Sequence, residues 1–263
     1  MLQVLCALNY FGTGSYQTPV GNNYVIHLSQ PSASRFYRLY GFPGCIGCID
    51  CTHVAIVPPA ATMYDERSYV NRKNYHSINT QLICDASLKI MNVNSLFPGS
   101  THDSHIWNSS NVLTLMESLH NHGHTNYHLI GDSGYALRPW CLTPLAEPGV
   151  GTAEHRYNEA LKQTRATIER CNGVLKSRFR CLLKDRVLHY TPHKASKIII
   201  ACTILHNMCI QNGIEDPEMI LDQDQLGMMP QVAYTTNNLG RRTNVLLQSA
   251  RQKQGNIVRN YFV

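Results

Sequence analysis

The chain predicts an α/β fold, a mixed sheet flanked by helices, and three stretches of sequence carry that expectation. Residues 78–84 and 90–97 alternate apolar and polar side chains on either side of Asp85-Ala86-Ser87-Leu88, the pattern of an antiparallel hairpin. Apolar runs at residues 46–57 and 128–130 contain or closely precede an aspartate and read as buried strands. Between Ala153 and Leu183 the period changes. Ile168, Cys171, Leu175, Phe179 and Leu182 recur at three- and four-residue steps, which puts them on one face of a helix. Strands followed by helices in this mixture pack as helices on a central sheet.

In chain order, residues 2–11 place Leu2, Leu5, Cys6 and Leu8 at roughly helical spacing before a Gly-Thr-Gly-Ser break. Residues 20–36 read as short helices, with Pro31 at a helix start. The strand over 46–57 is closed by Pro58-Pro59, and residues 104–119 suit a helix. Residues 195–209 form a further amphipathic or buried helix. Beyond Asn212 the chain turns polar and acidic, then basic from Arg241 to Arg259, and reads as a partly disordered tail with one short helix. The division is therefore a helical segment 1–40, a sheet domain 41–212 and a polar tail 213–263.

Composition narrows the class. Hydrophobic residues make up 43% of the chain and charged ones 15%, which argues for a folded globule and against general disorder. Lys and Arg outnumber Asp and Glu by 23 to 17, a mild basic bias compatible with nucleic acid. Ten cysteines without a recognisable secretory signal read as reduced thiols in the cytosol or nucleus. No apolar run approaches the length that crosses a bilayer, so a soluble intracellular protein without membrane contact is expected.

Four acids stand in short polar or glycine-containing motifs beside apolar runs: Asp50 in Gly47-Cys48-Ile49-Asp50-Cys51-Thr52-His53, Asp103 in Thr101-His102-Asp103-Ser104, Asp132 in Gly131-Asp132-Ser133-Gly134-Tyr135, and Glu169 in Ile168-Glu169-Arg170. Carboxylates in such positions are costly to desolvate unless they are paired or bind a cation, so a converging cluster suggests a divalent metal site. The plainer reading for any one of them is a cap or turn carboxylate, strongest for Asp103. Asp85 belongs to the hairpin turn, and Asp65 and Glu66 to a solvated loop.

Other clusters favour the plainer reading. Cys45, Cys48 and Cys51 lack a complementary quartet with metal spacing and read as buried free thiols. Cys202, His206 and Cys209 share a helical face and invite the same suspicion, with a core histidine at position 206 the reading that the family resemblance given below implies. His120, His122, His124 and His128 read as exposed loop side chains. His53 and His102 each stand within three residues of a proposed ligand, where an imidazole orients a phosphate, moves a proton or bonds a carboxylate.

The order Asp, Asp, Glu with a basic helix around the glutamate resembles the DDE nucleases and transposases of the PIF/Harbinger type, including Harbinger-derived nucleases domesticated by their hosts. Matching segments are Gly41-Phe42-Pro43-Gly44 through His53, residues 99–107, 129–139 and 168–183, and Leu205-His206-Asn207, which anchor roughly residues 41–212 in the family's order. The resemblance implies an RNase H-like fold carrying a DDE superfamily endonuclease domain. It implies cleavage or strand transfer at DNA phosphodiester bonds with a divalent cation, Mg2+ or Mn2+. By match to the family's motifs, Asp50, Asp132 and Glu169 are the catalytic triad, and Asp103 is a fourth metal ligand or a carboxylate supporting the other three. The same likeness implies a helix-turn-helix-like segment within residues 1–40 and a separate Myb/SANT-like DNA-binding partner that aids nuclear entry, so the expected location is nucleus and cytoplasm.

The match departs from the family in one place. Several dozen residues normally separate the Ser29-Gln30-Pro31-Ser32 segment from Gly41-Phe42-Pro43-Gly44, and here Phe36 to Tyr40 are nearly all that stand between them, as though a stretch were deleted. Arg165, Arg170, Lys176, Arg178 and Arg180, with Lys184 and Arg186 beyond, surround Glu169 and are the candidates for contacts to a nucleic-acid backbone. Two rival functions remain at this level. One is an adaptor that keeps the fold and binds DNA or protein without turnover; the other, a small-molecule phosphohydrolase, is disfavoured by that basic helix.

Overall fold

The computed structural model describes residues 33–219 and 244–263. Most of the helix-turn-helix-like segment expected within 1–40 lies outside the described residues. Five strands form one sheet: β1 (Cys45–Ala55), β2 (Ser77–Cys84), β3 (Ile90–Pro98), β4 (His128–Ile130) and β5 (Cys141–Leu142), in the order β3-β2-β1-β4-β5. β1 pairs antiparallel with β2, opposing Asp50 to Leu82 and His53 to Asn79, and parallel with β4, opposing Cys48 to Ile130. The mixed sheet and its flanking helices are the RNase H-like arrangement that the family resemblance implies.

Alternation along the strands builds two cores. Cys48 and Val54 of β1 join Leu82, Ile130 and Leu142 on one face, against α4 (Ala153–Arg178) and α5 (Pro192–Gln211). Ile49, one residue on, joins Ile83, Leu129, Trp140 and Cys141 on the other face, against Trp107 of α2 (Asp103–Asn108) and Met116 of α3 (Asn111–Asn121).

Local chemistry fixes the joints. In the hairpin turn the Asp85 carboxylate accepts from the amides of Ser87 at 2.7 Å and Lys89 at 3.0 Å, as its place in the sequence implies. The single helix expected over 104–119 is broken in two at Ser109 and Ser110, because the Ser110 hydroxyl caps the next helix by accepting from Val112 N at 3.1 Å. α4 opens on Thr152, whose hydroxyl accepts from His155 N, and ends at Arg178; a 3-10 turn follows over Arg180–Leu182. On α5, the Asn207 amide bonds both backbone groups of Ile90, at 2.8 and 2.7 Å, and His206 Nε2 lies 2.8 Å from Leu88 O. His206 is thus a core histidine, as expected, held through Nε2, while its buried Nδ1 finds no hydrogen-bond partner among the described residues.

Both ends of the described chain are helices packed on the domain. The short helix α1, residues 33–40, buries Phe36 fully and sets the Tyr40 hydroxyl 3.1 Å from that of Thr167 on α4. It ends at Gly41, whose φ of +67° suits glycine and whose amide returns to Tyr37 O at 2.8 Å. The segment read as a tail contains a 17-residue helix, α6 (Val245–Tyr261), docked on the domain. Ala250, Gln254, Ile257 and Val258 are its buried stripe. Gln254 donates to Thr143 O and to the Tyr157 hydroxyl, and the Phe262 ring packs 6.0 Å from that of Phe42 and 5.8 Å from that of Tyr157. The stripe escaped the sequence reading because its polar members are inward-facing and find buried partners.

His128 is also a correction. It opens β4, is fully buried and sets its ring edge-on to Phe42, so burial keeps its imidazole pKa well below the usual value. The remaining members of that histidine group are at least partly exposed. Among the described residues no helix is long and apolar enough to cross a membrane.

Lys253 secures α6. Its ammonium donates to Thr125 O at 2.7 Å, Tyr127 O at 3.1 Å and Pro139 O at 2.7 Å, using all three N–H groups. Burial pushes its pKa down to about 7 while those carbonyls hold the charged form. Lys253→Met keeps the stem and removes the donors, so urea denaturation should show a loss of about 2–4 kcal/mol. An unchanged midpoint would mean that the helix is held by its apolar stripe alone.

Candidate active site

Asp50 lies in the middle of β1, on the face that packs against α4, and is only 4% exposed. Burial, and after it the negative charge of Asp132, pushes its carboxyl up to about 8; Arg165 opposes the rise and Asp103 adds to it. Asp132 follows β4 immediately, in a turn where its carboxylate accepts from Gly134 N at 2.9 Å. Its pKa is raised, chiefly by burial and further by Asp103, against the Gly134 bond and the charges of Arg165 and Arg72. Gly131 permits this turn: a Cβ there would stand 2.8 Å from the Tyr135 ring and 3.2 Å from Ile49 on β1.

Asp103 is the first residue of α2, and its carboxylate takes a tertiary partner instead of a capping one. It accepts from Asn79 Nδ2 on β2 at 2.9 Å, while the N-cap residue, His102, makes no side-chain cap. Behind the acids, the Tyr135 hydroxyl and Cys51 Sγ lie 3.5 Å apart. Burial raises both pKa values well above normal, and the charges of Asp50 and Asp103 add to the effect. Asp132 and Asp103, drawn from two other segments, thus both add to the rise at Asp50.

Glu169 connects to them differently. Its carboxylate pairs with the Arg165 guanidinium one turn earlier on α4, and that same Arg165 lowers the pKa of both Asp50 and Asp132. Glu169 is 39% exposed at its side chain and Arg165 20%. As arranged, no three His, Cys, Asp or Glu side chains among the described residues form a group that could hold one ion. The oxygen donors suit a hard divalent cation. The arrangement differs from the expected four-carboxylate set because Glu169 is held by Arg165 and Asp103 by Asn79.

The basic helix does not present one phosphate-facing stripe. Lys176 is buried, and its ammonium donates to His53 O on β1 at 2.9 Å, because two turns beyond Glu169 it falls on the seam that docks on the sheet. Arg178, mostly buried, bonds Glu215 O at 3.1 Å and Asp216 at 3.4 Å, and Arg170 pairs with Asp216 at 3.0 Å. Arg180 is exposed but lies beyond the end of the helix. Arg165, assigned from sequence to a nucleic-acid backbone, is turned instead toward the acids.

His53 Nδ1 lies 3.1 Å from Ser77 Oγ, and His102 is exposed. All nine described cysteines are free, and most are buried. Cys48 donates to Thr164 O and Cys45 to Gly47 O, so neither reaches toward a shared metal. Asn79, Tyr135 and Arg72 also belong to the surroundings of the acids and were missed in the sequence. Only Arg165 had a legible signal there, its four-residue spacing from Glu169.

Three comparisons bear on this arrangement. The family model described as DDE superfamily endonuclease matches residues 49–207. The protein named "Putative nuclease HARBI1" from Homo sapiens is 37% identical over 246 residues, covering 81% of this chain and 68% of the relative; that of Xenopus laevis is 33% identical over 247 residues, with the same coverage. "Protein ALP1-like" from Arabidopsis thaliana is 27% identical over 230 residues, 80% of this chain and 54% of its own length. No solved structure shows a significant match.

The raised pKa of Asp50 fixes the sign of a pH effect. Unfolded, its carboxyl releases a proton near pH 4; folded, near pH 8. Across that window the folded chain holds the extra proton, so the contribution of this group to stability falls as pH rises. Asp50→Asn should therefore be more stable than the wild type at about pH 8.5, on the order of a few kcal/mol, with the gap narrowing toward about pH 5. Chemical denaturation without divalent ions, repeated across pH, checks this, and a gap that does not change with pH contradicts it.

Proposed function

The chain belongs to the DDE superfamily endonucleases, and from that premise we propose that it is a divalent-metal-dependent nuclease that cleaves DNA phosphodiester bonds. The observation that carries the reading is the buried Asp50 on β1, whose carboxyl is pushed up to about 8 by burial and by the charges of Asp132 and Asp103. Such a cluster is stabilised by a dication, and its hard oxygen donors suit Mg2+ or Mn2+. When bound, the ion activates the attacking hydroxyl and neutralises charge on the leaving oxygen.

The residues divide the work. Asp50 and Asp132 would hold the cation, joined by Glu169, with Asp103 as a further ligand or as a charge that tunes them. Asn79 fixes the Asp103 carboxylate, and Gly134 N fixes that of Asp132. Arg165 shares the charge of the cluster, and a dication would compete with it for Glu169. Burial on β1 keeps water from screening Asp50, which strengthens the interactions that it makes.

Under this reading sequence selection falls to a Myb/SANT-like DNA-binding partner, which also brings the chain into the nucleus. A second reading, an adaptor that retains the fold without turnover, draws support from the Glu169–Arg165 pair, which ties the third acid of the triad to a cation of the chain itself.

One experiment separates the two. In Mg2+ or Mn2+ the wild type should nick plasmid DNA, and Mn2+ should raise its melting temperature; Asp132→Asn, which removes a ligand charge while conserving shape, should lose both responses. Ion-dependent stabilisation without nicking favours the adaptor. Equal nicking by the wild type and the variant assigns the cutting to a contaminant.

A further inference from the structure

The excess positive charge of the chain is concentrated in two segments. Residues 56–76 and 180–197 hold eight Lys or Arg against three Asp or Glu, which accounts for +5 of a net +6. These segments are distant in sequence and joined in space. Ile56 and Leu188 form a parallel bridge, with Val57 N donating to Leu188 O at 3.1 Å and Leu188 N to Ala55 O at 3.0 Å. Farther along, the Lys184 ammonium lies over the Tyr75 ring at 4.9 Å. Of the three acids, Glu66 is already engaged with His76 at 3.1 Å. Arg72, Lys73, Arg186, Lys194 and Lys197 are exposed.

The surface is continuous with the acid cluster. Asn71, next to Arg72, donates its side-chain amide to Ser77 Oγ at 2.9 Å, and that hydroxyl lies 3.1 Å from His53 Nδ1 on β1, so one border of the patch approaches the strand that bears Asp50. The other follows from β1: Ala55, where the 180–197 segment is attached, is five residues along the strand from Asp50, about 17 Å. That length is about five base-pair rises of duplex DNA. A duplex with its target phosphate at the acids could therefore lay its flanking phosphates over this patch. α4 does not offer an equivalent path, since Lys176 and Arg178 are turned inward.

We propose that the surface formed by residues 72–73 and 184–197 binds the phosphate backbone of double-stranded DNA beside the cutting site. The identity of the ligand rests on the nuclease reading; the place of binding rests on the charge distribution and on the bridge at Leu188. Phosphate contacts position a duplex without reading its bases. This surface would set the register of the strand at the acids and leave sequence choice to other groups.

The test uses the full chain, a duplex of about 30 base pairs and a chelator in place of metal, with affinity followed by fluorescence anisotropy over a range of salt. Each phosphate contact contributes about 0.9 to the slope of log affinity against log salt. Lys184→Ala/Arg186→Ala/Lys194→Ala should lower affinity at least about tenfold and flatten the slope by roughly two to three units. Arg186→Glu alone, at an exposed position, should flatten it by about one, which keeps the test valid if the triple variant misfolds. Arg251→Ala/Arg259→Ala, both exposed on α6, serves as the control and should leave the slope in place.

An unchanged slope in the triple variant and in Arg186→Glu overturns the proposal. So does an equal loss in the α6 control, which would show diffuse attraction to the whole chain. If DNA binding persists while binding to phosphatidylserine vesicles is lost, the patch recognises a lipid surface and the proposal also fails. Because no metal is present, absence of nicking by the wild type would sink the nuclease reading without affecting this result.

Discussion

One buried carboxylate organises the molecule. Asp50 sits on the strand at which the sheet changes from antiparallel to parallel pairing, in a position where an ionised group is costly to desolvate. Each neighbour that acts on it arrives by a different structural device. Parallel pairing of β4 with β1 brings Asp132, which follows that strand; a hydrogen bond from Asn79 on β2 fixes Asp103; packing of α4 over Cys48 brings Arg165. Moving β1 by one residue would turn Asp50 to the face occupied by Ile49 and Trp107 and dismantle all three relations.

Arg165 and Glu169 give α4 a double part. The arginine offsets the charge of the aspartates, and the glutamate in turn holds the arginine. An i,i+4 ion pair at this exposure is worth only about 0.3–0.5 kcal/mol. Glu169 can therefore exchange Arg165 for another cation at little cost to the helix, which is otherwise anchored by Ile168, Cys171 and Leu175 in the core. A weak bond at a site built into a strong frame allows a ligand to change partners while the fold stays still.

Much of this was legible where local chemistry and burial agree. The hairpin announced itself through alternation and through Asp85, and the strands bearing Asp50 and preceding Asp132 through their apolar runs. Glu169 lay beside a clear helical seam. Long polar side chains were not legible in the same way, since pattern alone does not say where an amine finds its acceptor. Lys176, read as a phosphate contact, reaches the backbone of β1, and Lys253 and Gln254, read as tail residues, are the fastenings of α6. His128 was grouped with the loop histidines that precede it although the strand reading over 128–130 also contained it, and it is the first residue of that buried strand. The bridge between Ile56 and Leu188 has no local signal at all, because it depends on how far α4 carries the chain before it turns back.

The packing of Phe262 against Phe42 and Tyr157 bears on how the protein is made. A ribosome delivers the strands and α4 well before it delivers α6. Until then Phe42, just before β1, and Tyr157, on α4, lack this cover, and so does the carbonyl cage that receives Lys253. Contacts between such distant parts of the chain close slowly, and exposed aromatic surface invites association in the meantime. Seating α6 is thus a late, long-range step that covers aromatic surface left open by the parts of the chain delivered before it.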